Sequence, residues 1–490
     1  MSFSIPSLCA VGHNVLLMPW MIAPTHRSRS QREITITRKS QLMSQPHDFQ
    51  ALPEPTPFYR WAVLLFVSLA MFGNYYVYDS MWPVIDLMRT DLGFSYQQIG
   101  LLSTAYNVAA LCVLLIGGYI IDRFGTKKAI TVFALICLFA AFLTAATPHY
   151  EVIFAGRFLL GIGAEPLIVA ATTVLAKWFK GKELSFAFGI NLSISRLGSA
   201  SADWSTSFAS PLYMNWQDPL WLATAVAGIS VSAALLYWMM EKRAEGRYQI
   251  GNSQAAEKIE LKSLYKFSAS YWYIVALCVV FYAVVFPFRT FAIDYFQQAH
   301  GITREAAGLL SSLLPVAAII LTPIFGFWVD RVGRRSLFMA VGALVMLPLF
   351  LAVTYLPAGP DVPLVIPFIG SAMVPLTLFV VIFMLGAVFS LIPAVMWPSV
   401  AYIVEARRLG SAFALMTMCQ QLGWAVVPFI VGVLNDRNSA GPENIAGYAP
   451  SMWFYTALAS FGLYFAYKLW RSETGPNAHG LETITSRAGN

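Results

Sequence analysis

Gly118-Tyr119-Ile120-Ile121-Asp122-Arg123-Phe124-Gly125-Thr126-Lys127-Lys128 closes one long apolar run. Gly326-Phe327-Trp328-Val329-Asp330-Arg331-Val332-Gly333-Arg334-Arg335 closes another, far downstream. The two segments agree at both glycines, at the Asp-Arg pair and at the basic end, so the chain repeats itself half against half. Basic flanking of a loop explains the lysines and arginines, but not Gly-x-x-x-Asp-Arg-x-Gly written twice. Gly118 and Gly326 are expected to allow close helix approach. Gly125 and Gly333 suit a turn with backbone angles that other residues resist. Asp122 and Asp330, beside Arg123 and Arg331, are placed to pair with cations or a helix N-terminus and so to hold one conformational state.

What surrounds the repeat is apolar. Of 490 residues 58% are hydrophobic and 12% charged, about half the charge of a soluble chain. The missing polar surface implies a partner, the lipid bilayer. About twelve stretches reach the length needed to cross it: 58–88, 96–121, 128–147, 151–178, 183–211 and 218–240, then 268–296, 304–329, 335–356, 372–404, 409–434 and 449–470. Prolines at 83, 393 and 398 mark the long first and tenth spans for kinks. The expected fold is an all-α membrane protein, with twelve transmembrane helices in two pseudo-symmetric six-helix bundles. Residues 1–57 form a polar, Pro-rich, disordered N-terminal tail, with Met43 a plausible start. Residues 58–240 form the first bundle, 241–267 the central loop, 268–470 the second bundle and 471–490 the C-terminal tail.

The net charge of +7 does not point to nucleic acid, because the basic residues recur in short clusters on alternate loops. Lys177, Lys180 and Lys182, the central-loop residues Lys242, Arg243 and Arg247, and Arg407 and Arg408 all fall on one side. That is the positive-inside pattern and puts both termini in the cytoplasm. The five cysteines (Cys9, Cys112, Cys137, Cys278 and Cys419) show neither CxxC nor Cys/His metal spacing. No metal or cofactor is called for. With no nucleophile–base set and no Walker-type glycine loop, the chain is not expected to be an enzyme.

Ionisable groups inside a span cost about 2.5–3.5 kcal/mol each on the lenient scale and are functional candidates. Glu165, in the fourth span, lies roughly 21 Å in from the outer end at 1.5 Å per residue. Arg196, in the antiparallel fifth span, reaches a similar depth from the other side. Pro166 is expected to disturb the helix beside Glu165. Tyr75 and Asp79, in the outer part of the first span, join Glu165 and Arg196 as candidate substrate contacts. Asp203, Arg289 and Asp294 lie nearer span ends and could serve as gate, contact or anchor. Arg157 reads as structural.

On the repeated loop, the chain resembles the major facilitator superfamily over about residues 58–470. Thr126, where a basic residue is usual, departs from the pattern. The resemblance implies parallel halves, each of nested inverted repeats, with substrate near the midplane. Phe72-Gly73-Asn74-Tyr75-Tyr76-Val77-Tyr78-Asp79, Gly156-Arg157-Phe158 through Lys180-Gly181-Lys182-Glu183-Leu184 with Arg196, and Phe281 through Phe288 are similar to the branch of lysosomal dipeptide transporters. In that branch a midplane glutamate and arginine match Glu165 and Arg196, implying contacts to a peptide's amino and carboxylate ends. The tail shows no acidic dileucine sorting signal, and the sparse loops suit a plasma (inner) membrane. The expected function is alternating-access transport of a small polar or zwitterionic solute, dipeptides first, by a monomer. Protons are a candidate coupling ion through Glu165 or Asp79. Alternatives are an organic-anion or sugar-phosphate carrier using Arg196 as clamp, or a non-transporting receptor or scaffold of the same fold.

Overall fold

The structure is a computed structural model, which describes residues 53–179, 183–248, 267–405, 408–476 and 478–484. Most of the N-terminal tail, the middle of the central loop and the last residues of the C-terminal tail lie outside the described residues, as does the Asp122 side chain. The helices are α1 (Pro57–Asp79), α2 (Ile85–Leu92), α3 (Tyr96–Phe124), α4 (Thr126–Ala146), α5 (Tyr150–Phe179), α6 (Leu184–Phe208) and α7 (Asp218–Ala244). The second half holds α8 (Ala269–His300), α9 (Arg304–Val332), α10 (Arg335–Tyr355), α11 (Leu376–Ile403), α12 (Leu409–Arg437) and α13 (Ala449–Glu473).

Local chemistry sets the helix ends. Thr56 and Ser95 accept from the amides of Tyr59 and Gln98, with Pro57 in the first turn of α1 and a reciprocal capping box at Ser95 and Gln98. Gly93 and Gly301 close α2 and α8 in the left-handed region. The first span does break near Pro83: α1 stops at Asp79, and a 3-10 turn (Trp82–Val84) leads into α2. The tenth span begins at Leu376, not at 372. Residues Asp361–Ile366 (β1) and Gly370–Pro375 (β2) pair antiparallel in a hairpin, Asp361 opposite Pro375. The residues at 372–375 read as the start of the span, but Pro375 and the β-branched Val362, Val365 and Ile366 favour strands. The Pro166 expectation is also corrected. α5 runs unbroken through it, and its ring seats against Gly117 of α3.

Among the described residues, ten helices are long and apolar enough to cross a membrane. Among the twelve spans, α6 and α13 fall short of that threshold. α6 carries Asn191, Ser193, Ser195, Arg196, Ser199 and Asp203, most of which turn inward: Asn191 donates to Ser68 of α1 at 3.0 Å, and Ser195 to its own helix. α13 carries Lys468, Arg471 and Glu473 in its last turns.

The packing is twofold in pattern. In the first half α1 packs on α6 and α7, and α5 on α3 and α4, with α4 also on α7. In the second half α8 packs on α12 and α13, and α11 on α9 and α10, with α10 also on α13. Each contact has its counterpart. The halves meet through α3 with α12 and α6 with α9.

The two ends of the bundle differ. We call the end where α1 begins and α13 finishes the terminal face, and the opposite end the far face. At the far face the halves touch backbone to backbone. A Cβ on Gly432 would fall 2.3 Å from the Tyr96 carbonyl oxygen, and one on Gly308 would fall 2.5 Å from the Asp203 carbonyl oxygen. Asp436 of α12 accepts from the amides of Tyr96 and Gln97 at 2.9 and 2.7 Å, capping α3 across the seam. At the terminal face a Cβ on Gly118 or Gly326 would meet nothing within 4 Å. The close approach expected at these glycines is therefore absent, because the face that would bring a neighbour to them is open. Tyr119 and Trp328, at 60% and 58% exposure, lie on those same helix ends.

Candidate functional site

A cavity lies between the halves, lined by Tyr75, Asp79, Glu165 and Arg196. The four candidate substrate contacts thus share one chamber. Two close helix approaches place them. A Cβ on Gly161 would lie 2.2 Å from the Tyr106 carbonyl oxygen, so the glycine lets α5 press on α3 one turn before Glu165. A Cβ on Gly198 would lie 2.3 Å from the Phe72 carbonyl oxygen, so α6 presses on α1 beside Arg196 and Tyr75.

Glu165 and Arg196 do not pair with each other. The Glu165 carboxylate accepts from the Tyr106 hydroxyl at 3.1 Å and lies within reach of the Gln421 amide. The Arg196 guanidinium is half-buried among aromatic faces: 5.6 Å from the centre of Tyr75, 6.0 Å from Phe286 and 5.4 Å from Phe389. Cation–π contact stabilises the charge, by about 0.5–2 kcal/mol per ring, yet leaves its N–H donors free for an acceptor. The cavity therefore presents an anion-accepting and a cation-accepting group on separate walls.

Asp79 lines the cavity but is held by Arg289 of α8 at 2.5 Å. Arg157 is buried as expected of a structural residue. It donates to the Tyr78 carbonyl at 3.1 Å and lies over the rings of Tyr78, Trp82 and Tyr106. Asp294 anchors a far-face cluster, accepting from Tyr96 at 2.7 Å and facing Arg89 at 3.9 Å. Tyr106, Asn74, Ile168, Ser199 and Trp424 also line the chamber and were not singled out. Tyr106 sits beside Ser103, Thr104 and Asn107 in α3, and Trp424 beside Gln420 and Gln421 in α12. Nothing in their local sequence marks them, since their position depends on the seam between halves.

The motif residues lie on the terminal face. Gly125 (φ 82°) and Gly333 (φ 69°) hold the turns after α3 and α9. Arg123 donates to Tyr119 at 3.1 Å, and Arg331 covers the Phe327 ring at 4.1 Å. Asp330 accepts from Arg335 at 2.8 Å, within its own half.

Paired six-helix bundles, closed at one face over a central chamber, are the architecture of a membrane transporter. The Major Facilitator Superfamily pattern matches residues 67–293 and 288–484, and the chain belongs to that family. It is 29% identical over 395 residues to the lysosomal dipeptide transporter MFSD1 of Danio rerio, covering 77% of this chain and 81% of that one. The Homo sapiens protein of the same name is 28% identical, over 85% of this chain and 87% of its own. The probable sulfoacetate transporter SauU of Cupriavidus necator is 24% identical over 72% of this chain and 82% of its own. Among solved structures, a bacterial homologue of the human lysosomal transporter Spinster, in an inward-facing and unoccupied conformation, superposes with a TM-score of 0.67. The two chains are 14% identical, with 85% of this chain and 98% of that one covered. The nucleoside transporter NupG gives 0.63 at 14% identity, over 84% of this chain and 99% of its own. These structures share the fold.

Proposed function

We propose that the chain carries small zwitterions, dipeptides first among them, holding the carboxylate end at Arg196 and the amino end at Glu165. The observation that carries this reading is that the two opposite charges line one cavity and pair with neither each other nor another ion in the described residues. A structural ion pair would have closed on itself, because a buried charge without a partner is costly. Similarity to dipeptide transporters across most of the chain supports the same reading. On the basic-loop rule the terminal face is cytoplasmic, so the chamber is open toward the cytoplasm in this conformation. The relatives' lysosomal naming does not favour the plasma membrane expected from the loops.

The test is thermal stability of purified protein with alanyl-alanine and its N-acetylated and C-amidated forms. A ligand that binds only folded protein raises the melting point. The free dipeptide should stabilise, and each block should weaken binding by about 1.5–3 kcal/mol, the value of a hydrogen bond to a charged group. Arg196→Ala should remove the penalty for amidation, and Glu165→Gln the penalty for acetylation. Equal binding of both blocked forms by the wild-type chain overturns the two-ended reading. Stabilisation by sulfoacetate, unaffected by Glu165→Gln, would instead favour an organic-anion carrier.

A further inference from the structure

The hairpin between α10 and α11 has two unlike faces. In its register Val362 stands opposite Val374 and Leu364 opposite Ala372, while Pro363 stands opposite Met373 and Val365 opposite Ser371. The first set turns inward, with Leu364 and Val374 buried. The second turns outward, with Val365 and Met373 more than half exposed. At the tip Phe368 is fully exposed and has φ 68°, a left-handed backbone that bulky side chains resist. An exposed ring held at that cost points to a use for it. No Asp, Glu, Lys, Arg or His occurs from residue 362 to 404, so the hairpin's only charge is Asp361 at its base.

The hairpin stands where lipid would otherwise cover α9. Ile320, Ile324 and Phe327 form an exposed stripe on one face of that helix. Toward the far face the exposure ends, and Ala306 through Ser312 are buried on every side. The hairpin packs on α9. A Cβ on its Gly370 would lie 3.5 Å from that of Ser207, next to the Thr206 that meets Gly308 of α9. The exposed stripe of α11, at Leu376, Val380 and Phe383, leads directly into Met373 of the hairpin. At the far-face ends of α10 and α13, Trp453 donates to the Tyr355 hydroxyl at 2.9 Å, with both rings exposed. Tyrosine and tryptophan concentrate in this way where helices leave the bilayer.

We propose that the outer face of this hairpin is a lipid-contact surface, seated in the head-group layer of the far-face leaflet with Phe368 as its anchor. Two costs fix the depth. In water, Phe368, Val365 and Met373 would leave a contiguous apolar face unburied. In hydrocarbon, the outer edges of a two-stranded sheet would leave backbone N–H and C=O groups without partners. The head-group layer meets both needs, with water and phosphate at the edges and acyl chain against the ring. Continuity with the exposed stripe of α11 favours lipid over a docked protein as the occupant. Because the hairpin carries no basic residue, the contact is made through the lipid's chains and does not select anionic head groups.

The experiment reads depth by fluorescence quenching in the full chain. Val365→Cys, Phe368→Cys and Met373→Cys are made singly after removal of the native cysteines. Glu443→Cys, in the exposed far-face loop before α13, is the aqueous reference. Each is labelled with a nitrobenzoxadiazole fluorophore and reconstituted in phosphatidylcholine vesicles that carry a nitroxide on the head group or near the end of the acyl chain. The head-group nitroxide should quench the three hairpin sites several-fold more than Glu443→Cys, and more than the chain-end nitroxide does. Adding phosphatidylglycerol should leave this unchanged, and a rise in quenching would overturn the charge-independent contact. Phe368→Asn keeps a residue that tolerates the left-handed turn and removes only the ring. Quenching of the Val365→Cys label should then fall to the reference level, and no fall would overturn Phe368 as the anchor. Hairpin labels quenched no more than the reference, and reached equally by aqueous iodide, would overturn the lipid contact and leave this face to a protein partner.

Discussion

The two copies of the repeated loop share a sequence and differ in what supports them. After α3, the Thr126 hydroxyl and the Lys177 ammonium both donate to Glu241 near the end of α7, at 3.1 and 2.8 Å, with Tyr237 on the same carboxylate and Lys127 on Glu245. After α9, Arg335 is buried against its own Asp330 and the Tyr402 ring. The chain beyond α13 then folds back on the loop. The amides of Arg334 and Arg335 donate to the carbonyls of Glu482 and Leu481 at 3.1 and 3.3 Å, and the Glu482 carboxylate takes the Ser336 amide and hydroxyl. The turn is thus common to both halves, while its electrostatic footing is local. Thr126, which departs from the family pattern, is where the first loop finds its own partner.

The largest expected effect breaks the first footing alone. Glu241 is buried, and Glu241→Ala leaves Lys177 and Thr126 without their acceptor, with Tyr237 still able to donate to Thr126. The loss should be about 3 kcal/mol, the low end for breaking a buried pair because Lys177 can reach solvent. Denaturation of the purified variant checks it. An unchanged midpoint would show that the cluster contributes nothing to the first loop.

Substitution of the glycines sharpens what the copies share. Gly125 has φ 82° and ψ 157°, and Gly333 has φ 69° and ψ −134°. Both lie where only glycine rests easily, at a cost of about 1–3 kcal/mol for other residues. Gly125→Ala and Gly333→Ala should destabilise by similar amounts despite their different surroundings. A several-fold difference in cost would mean that the turns are not equivalent.

Much of this was legible in the sequence. The repeat located both turns, apolar runs located twelve spans, and counting residues from the span ends brought Glu165 and Arg196 into one chamber. Three things were not. The hairpin at 361–375 was read as a connection, with its last four residues counted into the tenth span, because a short apolar stretch beside a span carries no signal of its own for a strand pair. The open glycines at 118 and 326 depend on which state the bundle occupies. The pairing of Asp79 with Arg289 joins residues of opposite halves, and no local spacing encodes a contact made only when the halves close.

A smaller effect separates the second footing from the first. Glu482 acts as an N-cap for α10 although it arrives from the C-terminal segment. Glu482→Ala should cost about 1 kcal/mol, as for loss of a capping side chain. Hydrogen exchange should quicken at residues 334–338 and stay unchanged at 126–130. Equal acceleration at both loops would contradict independent footings.

The smallest effect on stability is expected at Asp330. Its side chain is 57% exposed and its partner is five residues away in the same half. An ion pair so exposed is worth about 0–1 kcal/mol, so Asp330→Asn should barely move the melting point. Its effect on transport is expected to be larger than that. In this conformation the terminal face is open and Asp330 touches nothing across the seam among the described contacts. Any contact across the seam that needs its charge is therefore made when that face shuts. A carboxylate spent in one state only changes the rate of exchange between states, not the fit of the solute in the chamber. Asp330→Asn should slow uptake into vesicles by several-fold, on the order of 1 kcal/mol at 1.4 kcal/mol per decade, while leaving the ligand-induced melting shift as it was. Slowed uptake with an equally weakened melting shift would place the residue's role in binding. Unchanged uptake would show that the second copy of the motif has kept its turn but not its gate.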